Sequence, residues 1–373
     1  MVLLCRLPAV LRRPGYKRVT PTARLSSKVT TKTQQYAPVV YSEEDVSRVH
    51  TLSLNEARQL FPHGVSSKLA TEMEALGNGS WILRKESFEI ITALNQESST
   101  TPKFLLHGST GCGKSVCMSQ VMQWCSRAGW IIVHVPNVFD WTHSCHELRP
   151  SPHNPNTYDQ PQESVQWLKN FRTTNSQLLS QIKLTKAHEW TKRERSEVND
   201  DLSKVIEVGL IKPNIATDVV AMVMKIVAEQ QDKKIVLAVD SFNGCFNPTS
   251  LKLGKEEWVS PHQLNLLTAL LENTTRAVYP GAVLLALSRT KMYRHSVCGY
   301  SPEKLLGEKG CVSVSDCQWM QVPNLEREEM DTWLTASYHN KWINREPTES
   351  VSSELWHLTS GNPAELSRLS RAL

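Results

Sequence analysis

The chain has 373 residues, with 42 Lys+Arg against 37 Asp+Glu, 40 % hydrophobic and 21 % charged. That is enough apolar side chain to bury one large core or two modest ones, which excludes a wholly disordered chain. Its longest aliphatic run, Ala282 to Leu287, is far short of the roughly 20 residues that cross a bilayer, so no membrane-spanning helix is expected.

The positive charge sits at the N-terminus. Met1 to Ser42 holds eight basic residues and no Asp or Glu, leaving 34 basic against 37 acidic residues in the rest of the chain. An acid-free, Ser/Thr-containing leader with an apolar stripe at Leu3, Leu4, Leu7, Val10 and Leu11 has the composition of a mitochondrial transit peptide, expected over residues 1–28; a basic arm touching nucleic acid is the alternative. Residues 29–100 are expected to form an N-terminal extension and helical arm.

From residue 101 to 325 the pattern alternates strand with helix. Phe104 to His107 reads as a short apolar strand, followed by a glycine-rich turn and a helix over about Ser115 to Arg127; Trp130 to Val135 reads as a second strand. Pro150, Pro152, Pro155 and Pro161 mark a loop excursion over 149–162, and residues 163–183 and 217–230 read as helices. Ile235 to Val239 is a continuous β-branched and aliphatic run, Ser260-Pro261 starts a helix, and Val283 to Leu287 is another strand. Strands apolar on both faces and separated by helices imply a parallel α/β sheet. Residues 326–373 are expected as a small C-terminal helical lid.

The chemistry lies at the strand ends. Gly108, Ser109, Thr110, Gly111, Cys112, Gly113, Lys114 and Ser115 match G-x-x-x-x-G-K-[ST] between a strand and a helix, the context of a phosphate-binding loop. Its glycines let backbone N–H groups turn toward phosphate oxygens at a helix N-terminus. Lys114 should reach the outer phosphates, and the Ser115 hydroxyl should ligate Mg²⁺ together with Asp240, the carboxylate that ends the 235–239 strand. ATPases with an additional central strand place a Glu after this Asp to polarise water; here Ser241 follows. Nucleotide binding with slow or absent hydrolysis is therefore expected, and no catalytic residue is assigned. Ser288 ends the next strand, where such folds carry a small polar sensor beside the γ-phosphate, and Arg289, Lys291 and Arg294 beyond it are candidates to meet phosphate; a solvated basic loop is the alternative.

Gly361, Asn362 and Pro363 resemble the Gly-x-Pro element that touches nucleotide in the lids of signalling and loader-type ATPases, with Asn362 also a helix cap and Glu365 the far side of a capping box. Asn340-Lys341-Trp342-Ile343 lacks the carboxylate with which small GTPases read guanine, so the base is not legible. The nine cysteines are odd in number and never spaced Cys-x-x-Cys, and His143, Cys145, His146 and His153 read as a surface loop, not a zinc site. Lys183, Lys186, Lys192, Arg193 and Arg195, with Trp190 among them, form the densest basic stretch and the candidate contact with RNA or ribosomal protein; a solvated helix face is the alternative.

Together these residues resemble one family, a mitochondrial small-subunit ribosomal protein also called death-associated protein three, a GTP-binding relative of the additional-strand ATPases. The resemblance rests on Phe61-Pro-His-Gly64, the loop at 108–115, Trp130 to Pro136, Tyr158-Asp-Gln-Pro161, Trp167 to Phe171 with Thr173-Thr-Asn175, Val239-Asp240 and Leu287-Ser288. It implies an α/β, P-loop NTPase fold of the additional-strand (AAA/STAND-like) type, GTP or GDP with Mg²⁺ as ligand, and mitochondrial small-subunit ribosomal RNA and proteins as partners, in the matrix. The family often has Asp-Gly where this chain has Asp240-Ser241. The competing reading is a nucleotide-switch signalling protein with a role in apoptosis. A ring-forming motor is disfavoured by Ser241 and by the lack of identifiable arginine fingers.

Overall fold

A computed structural model describes residues 39–63, 78–96, 100–191, 194–253, 257–276, 278–289 and 301–370. The expected leader, Gly64, Lys192, Arg193, Lys291 and Arg294 lie outside the described residues. No helix among the described residues is long and apolar enough to cross a membrane.

The first elements are β1 (Val49–Ser53), α1 (Leu54–Leu60), β2 (Asn78–Ile82) and α2 (Lys85–Asn95), with β1 and β2 paired antiparallel. The sheet region follows with β3 (Lys103–His107), α3 (Lys114–Arg127), β4 (Ile131–Val135), α4 (Val138–His143) and α5 (Pro161–Thr174). It continues through a hairpin of β5 (His188–Thr191) and β6 (Glu194–Ser196), then α6 (Leu202–Ile211), α7 (Ala216–Ala228) and β7 (Ile235–Val239). It closes with α8 (Asn265–Thr274), β8 (Gly281–Ala286), α9 (Pro302–Ser313) and β9 (Gln318–Gln321). Three helices end the chain: α10 (Arg327–His339), α11 (Glu349–Thr359) and α12 (Pro363–Leu369).

Five strands form one sheet in the order β9-β3-β8-β7-β4, every pair parallel. The physical reason is visible in β7, where all five residues are buried, as a strand covered by helices on both faces must be. Successive residues serve opposite cores. Leu105, Ile235, Leu237, Val283 and Leu285 pack with α5, α6, α7 and α8 on one side, while Phe104, Leu106, Val236, Ala238 and Leu284 pack with α1, α2 and α3 on the other. The described residues between 39 and 96 thus share a core with α3, the helix that follows the loop at 108–115. A third, smaller core, around Met330, Leu334, Leu355 and Leu366, belongs to the C-terminal helices.

Three expectations need correction. The helix expected over 163–183 starts at Pro161, which takes the first-turn position inside the expected loop, and stops at Thr174; only one 3-10 turn, Leu179–Gln181, follows. It stops because the Asn175 side chain is committed to β4, accepting from Ile132 N–H and donating to Ile132 C=O, both at 2.8 Å. At Ser260 a 3-10 turn, Pro261–Gln263, precedes the helix, with Gln263 Oε1 accepting from the Ser260 N–H at 2.8 Å. Glu365 does not close a capping box; its carboxylate pairs with Arg368.

Candidate functional site

The loop 108–115 leaves β3 and enters α3 with Gly108, Gly111 and Gly113 all at positive φ. Two of these glycines are required by close approach. A Cβ on Gly108 would lie 2.3 Å from the Val322 carbonyl oxygen, and one on Gly111 would lie 2.6 Å from the Ala364 Cβ. Lys114 folds over the loop, donating to the Gly108 and Ser109 carbonyls at 2.8 Å each. The Ser115 hydroxyl donates to the Asp240 carboxylate, so the two expected Mg²⁺ ligands meet. Burial raises the Asp240 pKa, opposed by the hydrogen bonds from Ser115 and the Ser241 N–H and by the Lys114 charge.

Ser288 stands nearby, held by a residue that pattern reading did not single out. Asn243, fully buried, accepts from the Ser288 N–H and donates to its C=O, each at 2.9 Å. A second unanticipated residue is Arg84, 4 % exposed, whose guanidinium donates to Cys112 C=O (3.3 Å) and Pro323 C=O (3.0 Å) and lies 3.8 Å from Glu329 of α10. Neither belongs to a spacing motif, because each acts on backbone carbonyls or amides that only the fold brings near.

The C-terminal helices reach the loop directly. Asn362 caps α12 through Oδ1, accepting from Ala364 N–H (3.1 Å) and Glu365 N–H (3.2 Å), while its Nδ2 donates to Thr110 C=O at 3.0 Å. The Ala364 N–H also lies 3.2 Å from the Gly111 carbonyl. Gly361 is at φ 71°, where a Cβ would lie 2.1 Å from the Leu325 oxygen.

These elements enclose a cavity of about 390 Å³, within the usual range for a small-molecule site. It brings together Thr110, Gly111, Gly113, Lys114, Ser115, Asp240, Ser288, Arg289 and Pro363. Gly108, Ser109, Cys112, Gly361 and Asn362 are not on its wall, and Cys112 is fully buried. The remaining wall is largely apolar: Trp81, Ile82, Leu325, Trp333 and Leu366.

The basic stretch differs from a solvated helix. Of its described residues, Arg195 lies on β6 and pairs with Glu197 at 2.5 Å, while Lys183 and Lys186 precede β5, Lys183 pairing with Asp201 and Lys186 exposed. Trp190 is 8 % exposed, its indole bonded to Ser196 Oγ, so it supplies no surface ring. Among the described residues no group of three His, Cys, Asp or Glu is arranged to hold a metal; His146 instead pairs with Glu163 at 2.9 Å.

Residues 81–369, which include every wall of this cavity except Ser80, match the family described as mitochondrial ribosomal death-associated protein 3. The chain belongs to this family. Similar members are the small ribosomal subunit protein mS29 of Mus musculus, 31 % identical with 93 % of this chain and 90 % of that protein covered, and its namesake of Bos taurus, 29 % identical with 94 % and 91 % covered. Among solved structures, that of the Aeropyrum pernix ORC2 protein in its ADP form covers 75 % of this chain and 58 % of its own, with 13 % identity and a TM-score of 0.39. The match to the death-associated protein 3 family begins at Trp81, so Trp81, Ile82 and Arg84 fall inside the shared region.

Proposed function

We propose that this chain, a constituent of the small subunit of the mitochondrial ribosome, holds a guanine nucleotide with Mg²⁺ in the cavity at 108–115 as a structural ligand and does not consume it as fuel. The ribosomal role follows from family membership and from relatives named as small-subunit proteins; the choice of guanine rests on the family resemblance. The single observation that carries the non-catalytic reading is the cavity wall, on which Asp240 is the one carboxylate among the described residues. A carboxylate committed to Mg²⁺ is not free to polarise water, and Ser241 cannot replace a base.

The residues present fit the metal. A hydroxyl and a carboxylate already in contact, Ser115 and Asp240, are the hard oxygen donors Mg²⁺ prefers beside phosphates. Mg²⁺ would neutralise phosphate charge there, Lys114 would exchange the Gly108 and Ser109 carbonyls for phosphate oxygens, and the apolar wall at Ile82, Trp333 and Leu366 would receive the base. The strand β8 between the phosphate-loop strand and the Asp240 strand supports the additional-strand type, and α10 to α12 support a lid. The partners are small-subunit ribosomal RNA and proteins.

The test is to isolate mitochondrial small subunits, extract and identify the nucleotide, and compare Lys114→Ala. Guanine nucleotide in near-stoichiometric amount is expected in the natural particle and absent in the variant. At about a thousand times its dissociation constant, a ligand stabilises its site by about 4 kcal/mol, so adding nucleotide should raise the thermal midpoint of the natural chain and leave Lys114→Ala unmoved. Turnover near 1 per second by the isolated protein, a common enzyme rate, would overturn the structural reading.

A further inference from the structure

The sheet has two edges, and the chain treats them differently. Along β4 the outward backbone groups are taken up by side chains: Asn175 on Ile132, and the Trp167 indole on the His134 carbonyl at 3.0 Å. Along β9 no described residue does this. Val322 N–H donates to His107 C=O at 2.7 Å, and the alternation of a parallel strand then turns the N–H and C=O of Trp319 and Gln321 away from β3. Exposed edges are normally blunted or covered, since an unpaired ladder invites another strand.

Beside this edge lies a cleft of about 450 Å³, walled by Lys85, Glu86 and Glu89 of α2, by β9, and by Pro323. Glu86 is 8 % exposed, and its Oε2 is buried with no hydrogen-bond donor. The nearest cation, Arg84, lies 3.6 Å away and is held by the carbonyls of Cys112 and Pro323. Lys85 pairs with Glu89 at 4.0 Å. Among the described residues the cleft therefore offers a free strand edge and a carboxylate whose ion pair with Arg84, at 3.6 Å, falls short of a hydrogen bond.

We propose that β9 is the docking edge for an extended segment of another small-subunit ribosomal protein, which adds as a sixth strand and directs a lysine or arginine to Glu86. Polypeptide is favoured over RNA because only a peptide matches the alternating N–H and C=O groups, and an RNA phosphate would meet Glu86 and Glu89. The proposal rests on the ribosomal reading for the identity of the partner's assembly, while the edge and the carboxylate stand on the structure.

The experiment places a photo-crosslinking phenylalanine derivative at Gln318 or at Gln321, both exposed, in the full chain, and maps the cross-links in purified mitochondrial small subunits. Both positions should label one segment of one protein, at sites about three residues apart as strand pairing requires, with Lys or Arg in that segment. Gln321→Pro removes an N–H that points out of the sheet, a change edge strands tolerate; it should cut labelling from position 318 about tenfold. Glu86→Gln should weaken labelling in the same direction and covers the case in which the proline variant does not fold. Labels on ribosomal RNA, on residues 64–77 or 290–300 of the same chain, or scattered over several proteins would overturn the proposal. So would particles that contain the chain and yield no polypeptide label, an outcome that leaves the ribosomal reading standing.

Discussion

Ser241 holds a left-handed backbone (φ 59°) beside the carboxylate of the site, a conformation costing an L residue about 1 kcal/mol or more and glycine almost nothing. Ser241→Gly should therefore raise unfolding stability by about 1 kcal/mol with nucleotide retention unchanged. A second residue-scale prediction concerns His63 and His134, whose rings lie 4.5 Å apart. Burial lowers both, His63 to about 4. Between pH 6.5 and about 4 the unfolded chain takes up a proton that the folded His63 refuses, so stability is full above 6.5 and falls as the pH drops through this window. The slope is up to about 1.4 kcal/mol per pH unit per histidine. Urea unfolding of His63→Gln against the natural chain should show a shallower loss over that range.

At the scale of elements, the segment from Asp159 to Asn175 stands out in the sequence because phosphate binding does not need it, and the structure supplies its purpose. Trp167 stacks on Phe171 with ring centroids 5.0 Å apart, and its indole and the Asn175 amide together seal the β4 edge. Asn175→Ala would leave the Ile132 N–H and C=O buried without partners, a loss of about 2 kcal/mol or more, and would expose an edge that promotes association. Lower urea stability together with increased light scattering is the expected result; unchanged values in both would remove the sealing role. The same residue shows what was legible and what was not. The strands at 103–107, 131–135, 235–239 and 281–286 could be read because their signal is local, an apolar run with a turn at its end. The loop at 108–115 could be read because phosphate chemistry dictates its spacing. The end of α5 could not, since Asn175 leaves the helix for a tertiary partner 43 residues away in sequence. Arg84 and Asn243 were hidden for the same reason: the groups they hold, Cys112 C=O and both backbone groups of Ser288, become neighbours only in the fold.

At the scale of the whole described molecule, three stretches meet at one cavity: β2 with Arg84, the sheet's loops, and the C-terminal helices. A ligand there would touch all three at once, and on the proposed reading a nucleotide that is not turned over would stiffen the protein in this way. Asn362 is the joint on which this coupling can be tested, because its two side-chain atoms do separate jobs. Oδ1 caps α12, while Nδ2 ties the helix to Thr110 in the loop at 108–115. Asn362→Ala removes both and should cost about 1 kcal/mol from the cap alone. Asn362→Asp keeps the capping oxygen, deletes the donor, and sets a negative charge beside the loop that would receive phosphate. If the C-terminal helices act only as a packed appendage, Asp should behave like the natural residue in every assay. If they hold the loop around its ligand, the nucleotide-free stability of Asn362→Asp should stay within about 1 kcal/mol of the natural chain, while nucleotide dissociates about tenfold faster and proteolysis within residues 326–370 is no longer slowed by added nucleotide. Dissociation rates of a fluorescent nucleotide and timed proteolysis, measured on the same two variants, separate the alternatives.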